Sequence, residues 1–287
     1  MIKETAYAKV NLSLDVTGLR PNGYHDVKMV MQTVGICDEL SFEKAENGIF
    51  LTTNSDRLNE ESQGGMDNII VKAARAIFDY VGKEYGVKIT LDKHIPIAAG
   101  MAGGSTDAAA TLRGLNRLFD LGLSMDTLRK IAVTIGADVP FCVEGGSMLS
   151  EGIGEILTPL TPAKNLNLLI CKPDIFVSTK EVYTRFDALT DIGHPDVDGM
   201  VDALNTKDYD KIPGLLGNVL ELVTANLYPV ISDIEKAMIN NGAINSIMSG
   251  SGPTVFGIFK DSASCQKAEA ALKEIYPDYF VSTTLTL

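Results

Sequence analysis

Residues 96 to 110, PIAAGMAGGSTDAAA, set Gly100, Gly103 and Gly104 among alanines and place two hydroxyls, Ser105 and Thr106, behind them. Small side chains let a backbone approach a ligand closely, glycine takes the dihedrals of a tight loop, and a helix that follows offers unpaired N–H groups and a positive dipole end. The chemistry this suits is anion binding, in particular the phosphates of a nucleotide. Pro96, Ile97, Ala98, Ala99, Gly100, Met101, Ala102, Gly103 and Gly104 would supply the backbone, and Ser105 and Thr106 hydroxyls for phosphate or Mg²⁺. The segment fits neither GxxxxGK[ST] nor GxGxxG, and the missing lysine leaves it short of positive charge. The alternative reading is a glycine turn whose alanines serve helix packing.

Four other places carry groups that can do chemistry. Lys9 and Asn11 alternate with Val10 and Leu12, so both can look into one cleft, and Lys9 is a candidate for the missing cation; a solvated strand face is the alternative. In GADVPF, residues 136 to 141, Asp138 follows a helix end and Pro140 favours an extended Val139. The carboxylate is then held in a short turn near a negative helix end, where ionisation is disfavoured unless a cation offsets it. Such a group suits a general base, and an ordinary surface Asp in a turn is the alternative. Tyr24 and His25 can stack on and hydrogen-bond a heterocycle, or serve as partial core. Gly250 and Ser251, in SGSGPT (249 to 254), can close over a phosphate or simply turn a hairpin.

The elements that must position these groups follow from periodicity. From Ala6 to Val16 apolar and polar residues alternate, which predicts a half-buried strand, and Pro21-Asn22-Gly23 then turns the chain into a second strand over 27 to 34. Helical spacing predicts a helix over 68 to 80, and residues 87 to 91 read as a strand. Ala108, Leu112, Leu115 and Phe119 put one apolar stripe on the helix behind the glycines, and a further helix starts at a Ser124 cap and stops at Gly136. Beyond residue 160 the order is strand 166–171, several helices, strand 244–248, strand 254–259, helix 263–275 and strand 280–284. With 229 to 240 as the sheet-facing helix this is the split βαβ plan. A 287-residue chain can hold two domains, and the proline-containing segment Thr158 to Lys164 predicts a division into 1–160 and 161–287, both α+β.

Composition excludes several classes. Asp and Glu outnumber Lys and Arg by 37 to 25, so no broad positive field attracts nucleic acid or an anionic membrane, and a polyanion must be held by local devices. The four cysteines are far apart without CxxC, and three histidines show no metal-ligand spacing. The first residues carry no apolar signal run and no segment has the length of a membrane span, so a cytoplasmic protein acting on a small molecule is expected.

AKVNL (8 to 12), GYH (23 to 25), PIAAGMAGGSTDAA (96 to 109), LGLSMDTL (121 to 128), GADVPF (136 to 141), EGIGEILTPL (151 to 160) and SGSGPTVF (249 to 256) stand in an order and wording that resemble one family. It is the 4-diphosphocytidyl-2-C-methyl-D-erythritol kinases, within the superfamily of galactokinase, homoserine kinase, mevalonate kinase and phosphomevalonate kinase. The resemblance implies an N-terminal domain like domain 2 of ribosomal protein S5, a C-terminal ferredoxin-like domain and an active site in the cleft between them. It also implies ATP with Mg²⁺ as phosphoryl donor and the 2-hydroxyl of diphosphocytidyl methylerythritol as acceptor, in the non-mevalonate (methylerythritol phosphate) route to isoprenoids. By motif, Asp138 would accept or orient the hydroxyl proton and Lys9 would polarise the pair. Asn11, Tyr24, His25, Tyr183, Gly250 and Ser251 would fall on the substrate, Tyr24, His25 and Tyr183 at its cytidine, and Asn68 and Lys93 near ATP. Met31 stands where relatives carry an aromatic residue, and no acidic ligand for Mg²⁺ is assigned. Another kinase of the superfamily and a nucleotide-binding protein without turnover are the competing readings. GYH argues against the first, and the presence of Lys9 and Asp138 against the second.

Overall fold

The alternation from Ala6 to Val16 does form a strand, β1 (Ile2–Leu19), joined through the Pro21-Asn22-Gly23 turn to β2 (His25–Ala45). In the computed structural model, which describes residues 1–55, 58 and 68–287, β1 is not half-buried as its sequence suggests. From Ala8 to Val16 both faces are covered: Lys9, Asn11, Ser13 and Asp15 are buried, as are Val10, Leu12 and Leu14. Buried polar groups of this kind must find partners, so the polar row of β1 is a site to be explained and not a solvated edge.

The chain divides into two units, each entered more than once. The first holds Met1–Ala8, Ile36–Ile97 and Ala102–Gly145; the second holds Lys9–Gly35, Ala98–Met101 and Gly146–Leu287. In the first unit the far half of β2 pairs antiparallel with β4 (Gly86–Asp92), which in turn pairs parallel with β3 (Ile49–Thr53). Helices α1 (Ile69–Val81), α2 (Gly103–Leu118), α3 (Met125–Val133) and α4 (Val139–Glu144) belong to it. Asn68 caps α1 by accepting from Ile70 N at 2.9 Å, and Ser124 caps α3 by accepting from Thr127 N, which fixes where both helices begin. The stripe of α2 faces inward with Ala108, Leu112 and Leu115 fully buried. At Gly114 a methyl group would stand 2.4 Å from the Phe42 ring, so α2 can lie on the sheet only because that residue has no side chain.

In the second unit the near half of β2 pairs antiparallel with β5 (Ser147–Gly152), and β5 with β6 (Ile156–Leu160). A separate four-stranded sheet contains β7 (Asn167–Lys172), β9 (Asn245–Met248), β10 (Val255–Phe259) and β11 (Phe280–Leu285), in the order β11-β7-β10-β9 with all neighbours antiparallel. The two-residue strand β8 (Gly217–Asn218) lies between β7 and β9 in sequence but joins β1, in parallel, at Ser13 and Leu14.

Between β7 and β9 run α5 (Thr179–Phe186), α6 (Val197–Thr206), α7 (Ile212–Leu215), α8 (Glu221–Leu227) and α9 (Val230–Asn240), and α10 (Ser262–Ile275) connects β10 to β11. Counting only α9 and α10 against the sheet gives β-α-β-β-α-β with spatial order 4-1-3-2, the expected ferredoxin-like plan. Its core joins Leu169 and Cys171 of β7, Ile231, Ile234 and Met238 of α9, Val255 and Phe259 of β10, and Cys265, Ala268 and Leu272 of α10.

Candidate active site

The glycine-rich loop takes a left-handed backbone at every second residue: φ is 53° at Ala98, 72° at Gly100 and 57° at Ala102. Alternation of this kind turns successive N–H groups to one side and makes a concavity for an anion. Two of the three residues are alanines, for which the conformation costs about 1–2 kcal/mol each. Ala102 is the N-cap of α2 and brings no side-chain oxygen to its first turn. In that turn Ser105 is half-buried and Thr106 almost wholly buried, so Ser105 is the hydroxyl that a ligand reaches more easily.

Lys93, expected near ATP, is engaged within the first unit. Its side chain is only 7% exposed, and its ammonium donates at 2.6 Å both to Asp38 Oδ2 and to Asp107 Oδ2. Asp38 is buried and its other oxygen accepts from His94 N and Ile95 N at 2.6 and 2.8 Å. Asp107, one helical turn into α2, keeps Oδ1 buried without a hydrogen-bond partner. Burial, and secondarily the Asp38 charge working against the nearby Lys93, pushes its carboxyl up to about 8. A methyl group at Gly103 would stand 3.1 Å from Lys93 Nζ, so the ammonium lies directly against the start of α2. Asn68 Oδ1 is engaged as the α1 cap, which leaves its amide nitrogen as the group it can offer outward.

Asp138 differs from its sequence expectation in local structure. Val139 is not extended: it opens α4, with Pro140 in the first turn and Asp138 as the N-cap residue. Proline is well tolerated at that end because its missing N–H is not needed by the helix. Asp138 therefore sits at the N-terminal end of α4 and not simply behind a helix C-terminus as the sequence suggested.

In the second unit the buried face of β1 meets the loop and the SGSGPT turn. Lys9, 4% exposed, donates from Nζ to Asn11 Oδ1 at 2.7 Å and to the Gly100 carbonyl at 3.3 Å, and its backbone N–H donates to Met101 O. Asn11 donates from Nδ2 to Met29 Sδ and from its backbone to Ser249 Oγ. Ser249 Oγ donates in turn to Gly100 O at 3.2 Å. A methyl group at Gly100 would lie 2.6 Å from Ser249 O and 2.9 Å from Gly252 O, so approach as well as φ demands glycine there. Gly250 is left-handed, with Asn11 Oδ1 and Lys9 Nζ 3.4 and 3.7 Å from where its side chain would begin. The hydroxyl of Ser251 shares a hydrogen bond with that of Thr179.

His25 and Tyr183 come together in the same unit, ring centroids 4.8 Å apart and planes tilted by 33°. His25 Nε2 bonds Asp187 Oδ1 at 2.6 Å, which orients the imidazole. Tyr24, next to His25 in sequence, is 59% exposed, whereas Met31 is fully buried. Asp38, Asp187, Ser249 and Thr179 were not singled out from the sequence. They lie 55, 162, 149 and 72 residues from Lys93, His25, Gly100 and Ser251, and no local spacing relates such pairs.

The motifs so arranged match known proteins over the whole chain. Residues 68–146 match the model of the GHMP kinases N-terminal domain, and residues 200–278 that of the GHMP kinases C-terminal domain. A 4-diphosphocytidyl-2-C-methyl-D-erythritol kinase of Lachnospira eligens is 48% identical over 275 residues, covering 95% of this chain and 94% of that protein. One of Caldicellulosiruptor bescii is 43% identical, with 99% and 98% covered. This chain belongs to the 4-diphosphocytidyl-2-C-methyl-D-erythritol kinase family. The crystal structure of a 4-(cytidine 5'-diphospho)-2C-methyl-D-erythritol kinase superposes with a TM-score of 0.83 at 28% identity, covering all of both chains. Leishmania major mevalonate kinase, at 16% identity, gives 0.76 over 100% of this chain and 96% of that one, and shares the fold. Among the described residues of this kinase no helix is long and apolar enough to cross a membrane.

Proposed function

We propose that this kinase transfers the γ-phosphoryl group of ATP to the 2-hydroxyl of 4-diphosphocytidyl-2-C-methyl-D-erythritol, a step in the methylerythritol phosphate route to isoprenoid precursors. The observation that carries the reading is the bond from Lys9 Nζ to Gly100 O. A buried ammonium fastened to a loop of alternating left-handed residues supplies the local positive charge that a chain of net charge −12 otherwise lacks at a phosphate. The names of the relatives supply the substrate.

Each group then has a part. The N–H groups of residues 96 to 104 and the start of α2 hold the ATP phosphates. Asn11 Oδ1 steers the Lys9 ammonium, which polarises the acceptor hydroxyl and screens the charge built on it. Asp138 orients that hydroxyl and takes its proton. Because phosphoryl transfer is loose, alignment of the hydroxyl by Asp138 matters more than early proton removal. His25, oriented by Asp187, reads the cytosine edge, with Tyr24 and Tyr183 as its aromatic neighbours. Gly250 and Ser251 line the substrate side, and Asn68 and Lys93 support the nucleotide.

Magnesium fits as an ion that arrives with the nucleotide. Among the described residues no three His, Cys, Asp or Glu gather as a ligand set, and Mg²⁺ in phosphate sites is commonly held by few protein oxygens plus phosphate and water. Ser105 and Thr106 are the hydroxyls that would hold it, and it would neutralise charge on the phosphate oxygens. A cytoplasmic setting follows from ATP as donor.

The test is a coupled ADP-release assay on purified protein with the cytidylylated methylerythritol beside galactose, homoserine and mevalonate. Turnover of the first alone is expected. Turnover of another acceptor with none of the first would refute the substrate assignment.

A further inference from the structure

The segment Asn218-Val219-Leu220-Glu221 has no part in the reaction as described, yet both of its ends are spent on one turn. Asn218, at the end of β8, is buried and donates from Nδ2 to two carbonyls, Met248 O and Gly250 O, each at 2.8 Å, while its Oδ1 accepts from Leu220 N. Glu221, the first residue of α8, accepts from Met248 N at 2.7 Å through Oε2. One turn further along α8, buried Thr224 donates to Ser251 O at 3.2 Å. Met248 is thus held at both its N–H and its carbonyl, and the carbonyls of Gly250 and Ser251 are held as well.

The opposite side of that turn is the one that meets β1. Ser249 Oγ bridges Asn11 N and Gly100 O, and the position where a side chain would begin on left-handed Gly250 stands 3.4 Å from Asn11 Oδ1 and 3.7 Å from Lys9 Nζ. The turn is therefore a plate between two sets of groups: Asn218, Glu221 and Thr224 behind it, Lys9 and Asn11 before it. Bonds to carbonyls from a buried amide fix a backbone in place, since a buried carbonyl left without its donor is costly.

A second buried carboxyl completes the rear side. Glu235, on α9, lies against Glu221, and its Oε1 is buried without a hydrogen-bond partner. Burial first, and then the facing Glu221, push the Glu235 carboxyl up to about 9; Lys236 on the same helix works the other way. Burial raises the Glu221 carboxyl too, but its bonds with Met248 N–H and Glu235 work the other way, so Glu235 is the member of the pair that holds the proton and Glu221 accepts from Met248 N–H.

We infer that Asn218 and Glu221 are positioning residues for phosphoryl transfer: they fix the Ser249–Gly252 turn so that its front holds Lys9 and Asn11 at the acceptor hydroxyl. The inference rests on the reading of Lys9 and Asn11 given above. It adds two residues that touch neither nucleotide nor acceptor.

The test uses Asn218→Asp, Glu221→Ala, Glu221→Gln and Thr224→Val in the full chain. Asn218→Asp keeps the shape but sets a carboxyl against two carbonyls, and Glu221→Gln keeps an acceptor for Met248 N–H. Displacements of about an ångström at a reacting pair cost up to ~100-fold in rate. The expected result is a kcat about 10- to 100-fold lower for Asn218→Asp and Glu221→Ala, with ATP KM changed less than about two-fold and kcat largely restored in Glu221→Gln. Thr224→Val, which loses one bond to the same turn and no charge, should give a smaller fall and stands in if a polar variant fails to fold.

Amide hydrogen exchange reads the turn without turnover: Ser249 N–H and Gly252 N–H, bonded to Thr254 O and Ser249 O, should lose protection while β10 keeps its own. Parent enzyme that turns over no cytidylylated acceptor would fault the functional reading and leave this exchange result standing. Unchanged exchange in Asn218→Asp, or faster exchange with kcat within about two-fold of the parent, overturns the inference.

Discussion

Replacing Lys93 with methionine separates two roles for this residue. If its main work is to join Asp38 to Asp107, Lys93→Met keeps the aliphatic stem but removes the ammonium from between two carboxylates, each bonded at 2.6 Å and nearly inaccessible to water. Asp38 retains its two backbone donors, whereas Asp107 is left with neither oxygen paired. Breaking a buried ion pair by deleting one partner costs about 3–5 kcal/mol. Asp107, already pushed up to about 8, can meet the loss by holding its proton, so the lower end, about 3 kcal/mol, is expected near neutral pH. At about 2–4 °C per kcal/mol for a chain of this size, melting should fall by roughly 6–12 °C. The assay is calorimetry without nucleotide, paired with ATP KM. Adding Asp107→Leu to Lys93→Met should recover part of the loss, because an apolar side chain needs no partner. A melting temperature within about 1 °C of the parent, with only ATP KM raised, would refute the reasoning and make Lys93 a nucleotide ligand first.

Four further outcomes are expected. Asp138→Asn should lower kcat by at least about 100-fold while isothermal titration finds ATP binding little changed; near-normal turnover would remove Asp138 from the acceptor hydroxyl. His25→Ala and Tyr183→Ala should each raise the KM of the cytidylylated acceptor by about 10-fold or more and leave ATP KM nearly constant, and equal effects on both would count against a cytidine site. Gly100→Ala places a methyl group 2.6 Å from Ser249 O at a φ of 72°, so both lower melting temperature and slower turnover are expected; a fully active, equally stable variant would show that the loop is not set by that approach. For Asp107, the folded-state value lies above the ordinary 3.8, at about 8, so its contribution to stability is present below pH 4 and is lost as pH rises to about 8. Asp107→Asn should remove that slope: its melting temperature relative to the parent should climb across this window, and a constant difference would contradict the shift.

What could be read from the sequence was whatever depends on neighbours along the chain. The alternation of β1, the cap at Ser124, the stripe of α2 and the split βαβ order all rest on spacing within one element or on element order, and all are present. The alternation did not reveal that the polar face of β1 is enclosed, because the groups that cover Lys9 and Asn11 come from Gly100 and Ser249. The Val139-Pro140 pair was read as extended by the rule for residues before proline, but the first turn of a helix accepts proline and the chain took that option. Strand β8, two residues long, has no periodicity to detect and exists through its pairing with β1. Lys93 carries no sign in its own segment of the two carboxylates that enclose it.

The order β11-β7-β10-β9 also bears on how the chain is made. Strand β7 is fully apolar in its middle, Leu168 to Cys171, and both its neighbours, β10 and β11, are synthesised more than 80 residues after it. Until they emerge from the ribosome, β7 has two unpaired edges, the condition under which strands pair with other chains. Premature termination anywhere before β10 leaves it in that state permanently, so shortened products of this gene should accumulate as aggregates and not as a working nucleotide-binding half.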